Sequence, residues 1–225
     1  MEKLLDQYCG RLSPIQAAEG MNAAAANARR LAEDAQLLLE AERFPSAASL
    51  AMLALEEVGK VVILRQLFSS NSEKELAGNW RRYRRHLEKN FFALMPDLVR
   101  QGARELHQFR SIFTKGTESQ RATYDAVKQL GFYTDCCGDV HWSIPAEVID
   151  KSLASHITSL ALALAKDKDP VVAEELQLWA IHMRSGMTQG NLLRWCSAMV
   201  EAGLKPAEYV EEMRRFTQRV GSSAK

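Results

Sequence analysis

Between Ser13-Pro14 and about Arg43 the chain carries one long alanine-rich helical pattern, and Phe44-Pro45 interrupts it before a second pattern that ends near Ser69-Ser70-Asn71. A proline in that place stops a helix, and Ser46 offers a hydroxyl to cap the next one. The two segments therefore predict a helical hairpin. Its seam is small, with Ala23 to Ala26, Ala28, Ala47, Ala48, Ala51 and Ala54, and methyl side chains bring helix axes toward the short end of about 8 to 10 Å. Nowhere do Val and Ile form a period-two run, so the spacing predicts an all-α multi-helix bundle with no strand.

Further helices follow the same punctuation. Ser72 and Glu75 have capping-box spacing at the start of a third helix, which runs past Trp80 toward Met95-Pro96. Thr114-Lys115-Gly116 stops the next stretch, Ser119 to Leu130 is a short helix closed by Gly131, and Pro145 opens a helix to about Lys166. Asp169-Pro170, Thr188 and Lys205-Pro206 then set off three more, with Gly186 and Gly203 as stops. We expect a helical bundle over residues 1–166 and a helical extension over 167–225 that packs on it.

A length of 225 residues buries a core without metals or disulfides. The charge is nearly balanced, with 29 Lys and Arg against 28 Asp and Glu, which excludes nucleic-acid binding by bulk charge and leaves it to local clusters. No run of about 18 apolar residues exists, and the acidic start Met1-Glu2-Lys3 is unlike a secretory leader; the expectation is a cytoplasmic protein with no membrane contact. Cys9, Cys136, Cys137 and Cys196 form no C-x-x-C pair and read as reduced thiols.

Two segments carry chemistry. In the second helix, Glu56, Glu57 and Lys60 fall within one arc of about 100° that also holds Leu53 and Leu64. Charges on a buried stripe need partners; the alternative is an i, i+4 pair on a solvated face. In the third helix Trp80, Tyr83, Leu87, Phe91 and Leu94 make an apolar stripe, flanked by Asn79, Arg82, His86, Lys89 and Asn90. Arginine forks and a histidine beside aromatics suit phosphate or RNA; a solvated basic face is the plain alternative. Arg81 to His86 has the Arg-to-His spacing of one ribonuclease superfamily, and so does Arg100 to His107, the second candidate pair.

Taken in order, Leu55-Glu56-Glu57-Val58-Gly59-Lys60, Trp80 with His86 and Lys89, Gly131-Phe132-Tyr133-Thr134-Asp135, and then Trp142 and Pro145 resemble the abortive-infection V (AbiV-like) family of the HEPN superfamily over about residues 15 to 165. The resemblance implies a helical bundle, commonly dimeric, that acts in bacterial defence against phage, and for many HEPN proteins metal-independent RNA cleavage. Arg81 and His86 match the superfamily's Arg and His; Glu56, Glu57, Lys60 and Lys89 match the family's charged positions. Arg82 stands where a small polar residue is common. On a continuous helix it lies about 40° from His86, against about 140° for Arg81, so either arginine is a candidate. The partners implied are RNA, a second copy of the chain, or a phage protein bound without catalysis. No cofactor is expected, since there is no Gly-rich phosphate loop, no H-E-x-x-H and no Glu-x-x-His. A zinc site of Cys136, Cys137, His141 and His156 lacks the usual ligand spacing.

Overall fold

A computed structural model describes residues 7–84, 131–137, 141–166, 169–184, 186 and 188–222. The elements in chain order are α1 (Pro14–Glu40), α2 (Phe44–Phe68), α3 (Glu73–Arg84), β1 (Asp135–Cys137), β2 (His141–Ser143), α4 (Pro145–Val148), α5 (Lys151–Leu164), α6 (Ala173–Met183), α7 (Gln189–Glu201) and α8 (Tyr209–Ser222). The fold is all-α, as the patterning predicts. The expectations at Pro96, Gly116 and over 119–130 lie outside the described residues.

α1 and α2 form the predicted hairpin, and theirs is the most extensive helix pair among the described elements. α1 begins with a complete capping box: Ser13 Oγ accepts from the Gln16 N–H at 3.2 Å, and Gln16 Oε1 accepts from the Ser13 N–H at 2.9 Å. Helical period sorts the alanine run. Ala24 and Ala28 are buried, while Ala23 and Ala26 face solvent. Against them lie Ala47, Ala48, Ala51 and Ala54, none with exposed surface, so larger side chains would overpack the seam at about 1 to 3 kcal/mol each. α5 covers the other side of the hairpin through Ala154, Ile157 and Ala161.

Three boundaries differ from expectation. α2 starts at Phe44, with Arg43 in the cap position, so Ser46 lies inside the helix and is not its cap. Pro45 is the reason: its fixed φ suits the first turn, where its missing N–H costs nothing. The helix expected from Pro145 to Lys166 is two helices, because Asp150 interrupts it and its Oδ1 accepts from the Leu153 N–H at 2.8 Å to cap α5. Gly131 does not stop its helix, which includes Phe132. Its glycine has another reason: a Cβ there would lie 2.1 Å from Ser49 Oγ and 2.9 Å from the Pro45 carbonyl, so only a hydrogen fits against α2.

Between Gly131 and Pro145, where no strand is expected, lies a small antiparallel hairpin, with Cys136 opposite Trp142. Each strand has three residues, too few for alternation to show in sequence. Beyond Lys166, α6 packs on α1 and α2, while α7 and α8 add a cluster of Trp195, Cys196 and Met199. Trp195 makes edge-to-face contacts with Trp179 at 5.2 Å and Tyr209 at 6.4 Å.

Candidate functional site

α2 is apolar nearly all round because α1, α3 and α5 cover it, and this makes its charged residues informative. Glu56 is buried, with 4% of its surface exposed. Lys60 pairs with Glu57, three residues back, instead of with Glu56 four back; the two side chains are only 21% and 15% exposed. The solvated-face alternative is thus excluded for this trio. Lys60 Nζ also lies 5.8 Å from the centre of the Tyr83 ring on α3, a cation–π distance.

α3 is held down by its aromatic stripe. Trp80 is buried in a cluster with Met21, Ile63, Leu67 and Leu76, and its indole N–H donates to the Gly10 carbonyl at 3.0 Å. Tyr8 and Tyr83 meet it edge-on at 6.0 and 5.5 Å. Arg84 lies over the same ring at 5.3 Å and donates to the Tyr8 carbonyl at 2.6 Å, so this arginine of the basic run binds the N-terminal segment.

The flank beside that stripe carries a second polar cluster. Asn79 is buried, 4% exposed, and its Nδ2 donates to Ser70 Oγ at 3.0 Å and to the Gln66 carbonyl at 3.3 Å. Its Oδ1 accepts from Arg82 Nη1 at 3.3 Å, and Gln66 Oε1 lies 3.5 Å from the same nitrogen. The guanidinium of Arg82 is therefore tethered through Nη1 at an exposed position. Arg81 is exposed and, among the described residues, has no hydrogen bond or ion pair. A cleft of about 540 Å³ opens here, lined by Gln66, Asn79 and Arg82 from α2 and α3 and by Met183 and Arg184 at the end of α6.

Glu57, Lys60 and Tyr83 thus form one group, and Gln66, Ser70, Asn79 and Arg82 another. Gln66 lies six positions beyond Lys60 on α2, which is about 9 Å along the axis. His86, Lys89, Arg100 and His107 lie outside the described residues. Sequence reasoning missed Gln66 and Ser70 in the bracket around Asn79, and Arg184 across the cleft. Ser70 and Gln66 have i, i+4 spacing, and Ser70 Oγ donates to the Gln66 carbonyl at 3.1 Å; no pattern around Arg184 signals its place. Among the described residues no group of three His, Cys, Asp or Glu side chains is arranged to hold a metal ion.

A helical hairpin of small residues packed with further helices is consistent with an all-α bundle of HEPN type. The family model HEPN_AbiV, described as AbiV, matches residues 16–166, and the chain belongs to this family of abortive-infection HEPN proteins. No curated protein and no solved structure matches the chain. Among the described residues no helix is long and apolar enough to cross a membrane.

Proposed function

We propose that this chain is a cytoplasmic, metal-independent ribonuclease that works as a homodimer in abortive infection. The observation that carries the reading is Arg82, tethered through Asn79 and Gln66 at the mouth of the α2–α3 cleft, on the flank where a continuing helix would place His86 about 40° away. In the proposed chemistry the RNA 2′-hydroxyl loses its proton and attacks the adjacent phosphorus. The 5′-oxygen leaves with a proton, giving a 2′,3′-cyclic phosphate and a 5′-hydroxyl. His86 serves as general acid or base, and Arg82 or Arg81 stabilises the charge on the phosphoryl oxygens. Glu56, Glu57, Lys60, Asn79 and Lys89 are the supporting polar set, and Arg100 with His107 is the second candidate pair. A single flank supplies half of a cleavage site, and the partner copy supplies the other half. Residues 167–225 form an extension that packs on the bundle.

The test is RNA cleavage in excess EDTA with wild type and His86→Ala. A loss of about 10²- to 10⁴-fold without loss of folded protein supports the reading. Comparing Arg81→Ala with Arg82→Ala then decides which arginine acts, and light scattering reports the dimer. A folded wild type that cuts no RNA, with or without a phage trigger, decides for the second reading.

That second reading is a non-catalytic protein that binds a phage protein. The observation in its favour is a set of exposed apolar residues on the β-hairpin and its flanks: Phe132, Tyr133, Trp142, Ile144 and Val148, with Tyr133 62% and Trp142 58% exposed. Exposed apolar residues so close in sequence mark an interaction surface. Trp142→Ala abolishes partner capture under this reading and leaves RNA cleavage unchanged under the first.

A further inference from the structure

Away from the arginine cleft, a second cavity of about 470 Å³ lies between α1, α2 and the end of α5. It exists because the side chains around it are short. Ala25 and Ala26 line it from α1, and Val58, Val61 and Val62 from α2. A strap at Pro170 and Val171 completes the wall, and Asn22 fixes it in place. The Asn22 amide donates to the Val171 carbonyl at 2.9 Å and accepts from the Val171 N–H at 2.9 Å. The cavity is therefore formed before anything enters it.

Cations outnumber acids among its lining residues. Arg29, Arg65 and Lys166 all line it, and the acid among its lining residues is Asp169. That carboxylate is already engaged: Lys205 hydrogen-bonds it and holds it below the usual carboxylate range. Glu33 shares an adjoining cleft with Arg29 and Lys166 and does not line this one. Arg65 donates through Nη2 to Glu175 at 2.7 Å and lies 4.8 Å from the Trp179 ring. Its other terminal nitrogen, Nη1, is buried and has no hydrogen-bond acceptor among the described residues. A buried donor without an acceptor is costly, and each such group calls for an explanation.

We propose that this cavity is a binding site for a small organic anion with an apolar body, of the carboxylate class. The apolar part rests on the valines and alanines. The carboxylate sits among Arg65, Lys166 and Arg29, where it supplies the acceptor that Arg65 Nη1 lacks. Pockets of this size, mostly apolar with a few convergent polar groups, suit small ligands. The site is independent of the ribonuclease reading, since it uses neither α3 nor the arginine cleft.

The test is calorimetric titration of the full chain with sodium decanoate, with 1-decanol as the uncharged control. Decanoate binds one per chain with a Kd on the order of 100 µM, and 1-decanol binds at least about 10-fold more weakly, because a hydrogen bond to a charged group contributes about that factor or more. Ala26→Trp, at an exposed position on the cavity wall, abolishes binding with helicity unchanged. Lys166→Glu, at an exposed position, weakens decanoate several-fold and leaves 1-decanol as it was, with helicity unchanged. No decanoate binding by wild type overturns the proposal. So does equal affinity for the alcohol, or wild-type affinity in both variants.

Discussion

Asn79 shows how one residue changes meaning between sequence and structure. In sequence it is the first polar position of a donor flank. In the structure it is a buried bracket, joining Ser70 and Gln66 on one side to Arg82 on the other. Asn79→Ala removes three hydrogen bonds from a buried position and is expected to cost about 1 to 3 kcal/mol, measured by urea denaturation. A change below about 0.3 kcal/mol would show that the bracket is not holding. Arg82 is exposed, so losing its tether is expected to appear in RNA cleavage more than in stability. For the Glu56, Glu57 and Lys60 trio, burial was one of two readings open in the sequence, with the leucines on the same arc in its favour. The choice of Glu57 over Glu56 as the partner of Lys60 was not legible, since both spacings are allowed on a helix and neighbouring helices decide between them.

At the level of elements, the helix interiors were readable and several ends were not. Ser13, Thr188 and the glycines at 186 and 203 punctuate helices as their chemistry predicts, whereas α1, whose stop Phe44-Pro45 signals, ends a few residues earlier with no glycine to mark its turn. α1 ends in a Schellman turn: the Arg43 N–H donates to the Leu38 carbonyl at 2.8 Å and the Glu42 N–H to Leu39 at 3.0 Å, with Glu42 at φ 59°. α7 ends in the same turn, with Leu204 donating to Met199 at 2.9 Å and Gly203 at φ 71°. A glutamate in the left-handed region costs about 1 to 2 kcal/mol, more than the backbone freedom a glycine adds to the unfolded chain. Glu42→Gly is therefore expected to stabilise the protein by about 0.5 to 1 kcal/mol. A lower melting temperature would refute the argument. The C-terminal helices carry a pH dependence of their own. Burial pushes the Cys196 thiol up to about 11 from 9.0, and Tyr209, again chiefly through burial, up to about 12 from 10.0. Both groups stay protonated in the fold while the unfolded chain ionises first. Their stabilisation is whole below pH 9 and is lost as pH climbs toward 11 to 12. Helicity followed through alkaline titration is expected to fall over that range, and Cys196→Ala with Tyr209→Phe to flatten the slope.

For the whole molecule, sequence punctuation and the family match both place a boundary at Lys166, yet the core runs past it. Leu176 of α6 has no exposed surface and sits in the cluster of Met21, Ile63, Leu67 and Trp80. Arg65 reaches Glu175 and Trp179, and Asn22 clasps Val171. None of this could be read from the sequence, because a lone leucine on an amphipathic helix does not say which surface it covers. If the extension is integral, removing residues 167–225 uncovers that cluster and leaves the Arg65 charge, only 20% exposed in the intact chain, without its carboxylate. The loss is then on the order of 3 kcal/mol or more, since filling or emptying one leucine site is worth about 2 to 5 kcal/mol and an unpaired half-buried charge adds to it. Leu176→Ala in the full chain isolates the packing part, with an expected cost of about 2 to 5 kcal/mol. Thermal melts of the three chains check both. An unchanged melting temperature on truncation would make 167–225 a separate unit that merely touches the bundle. A drop matched by Leu176→Ala alone would instead assign the coupling to one side chain.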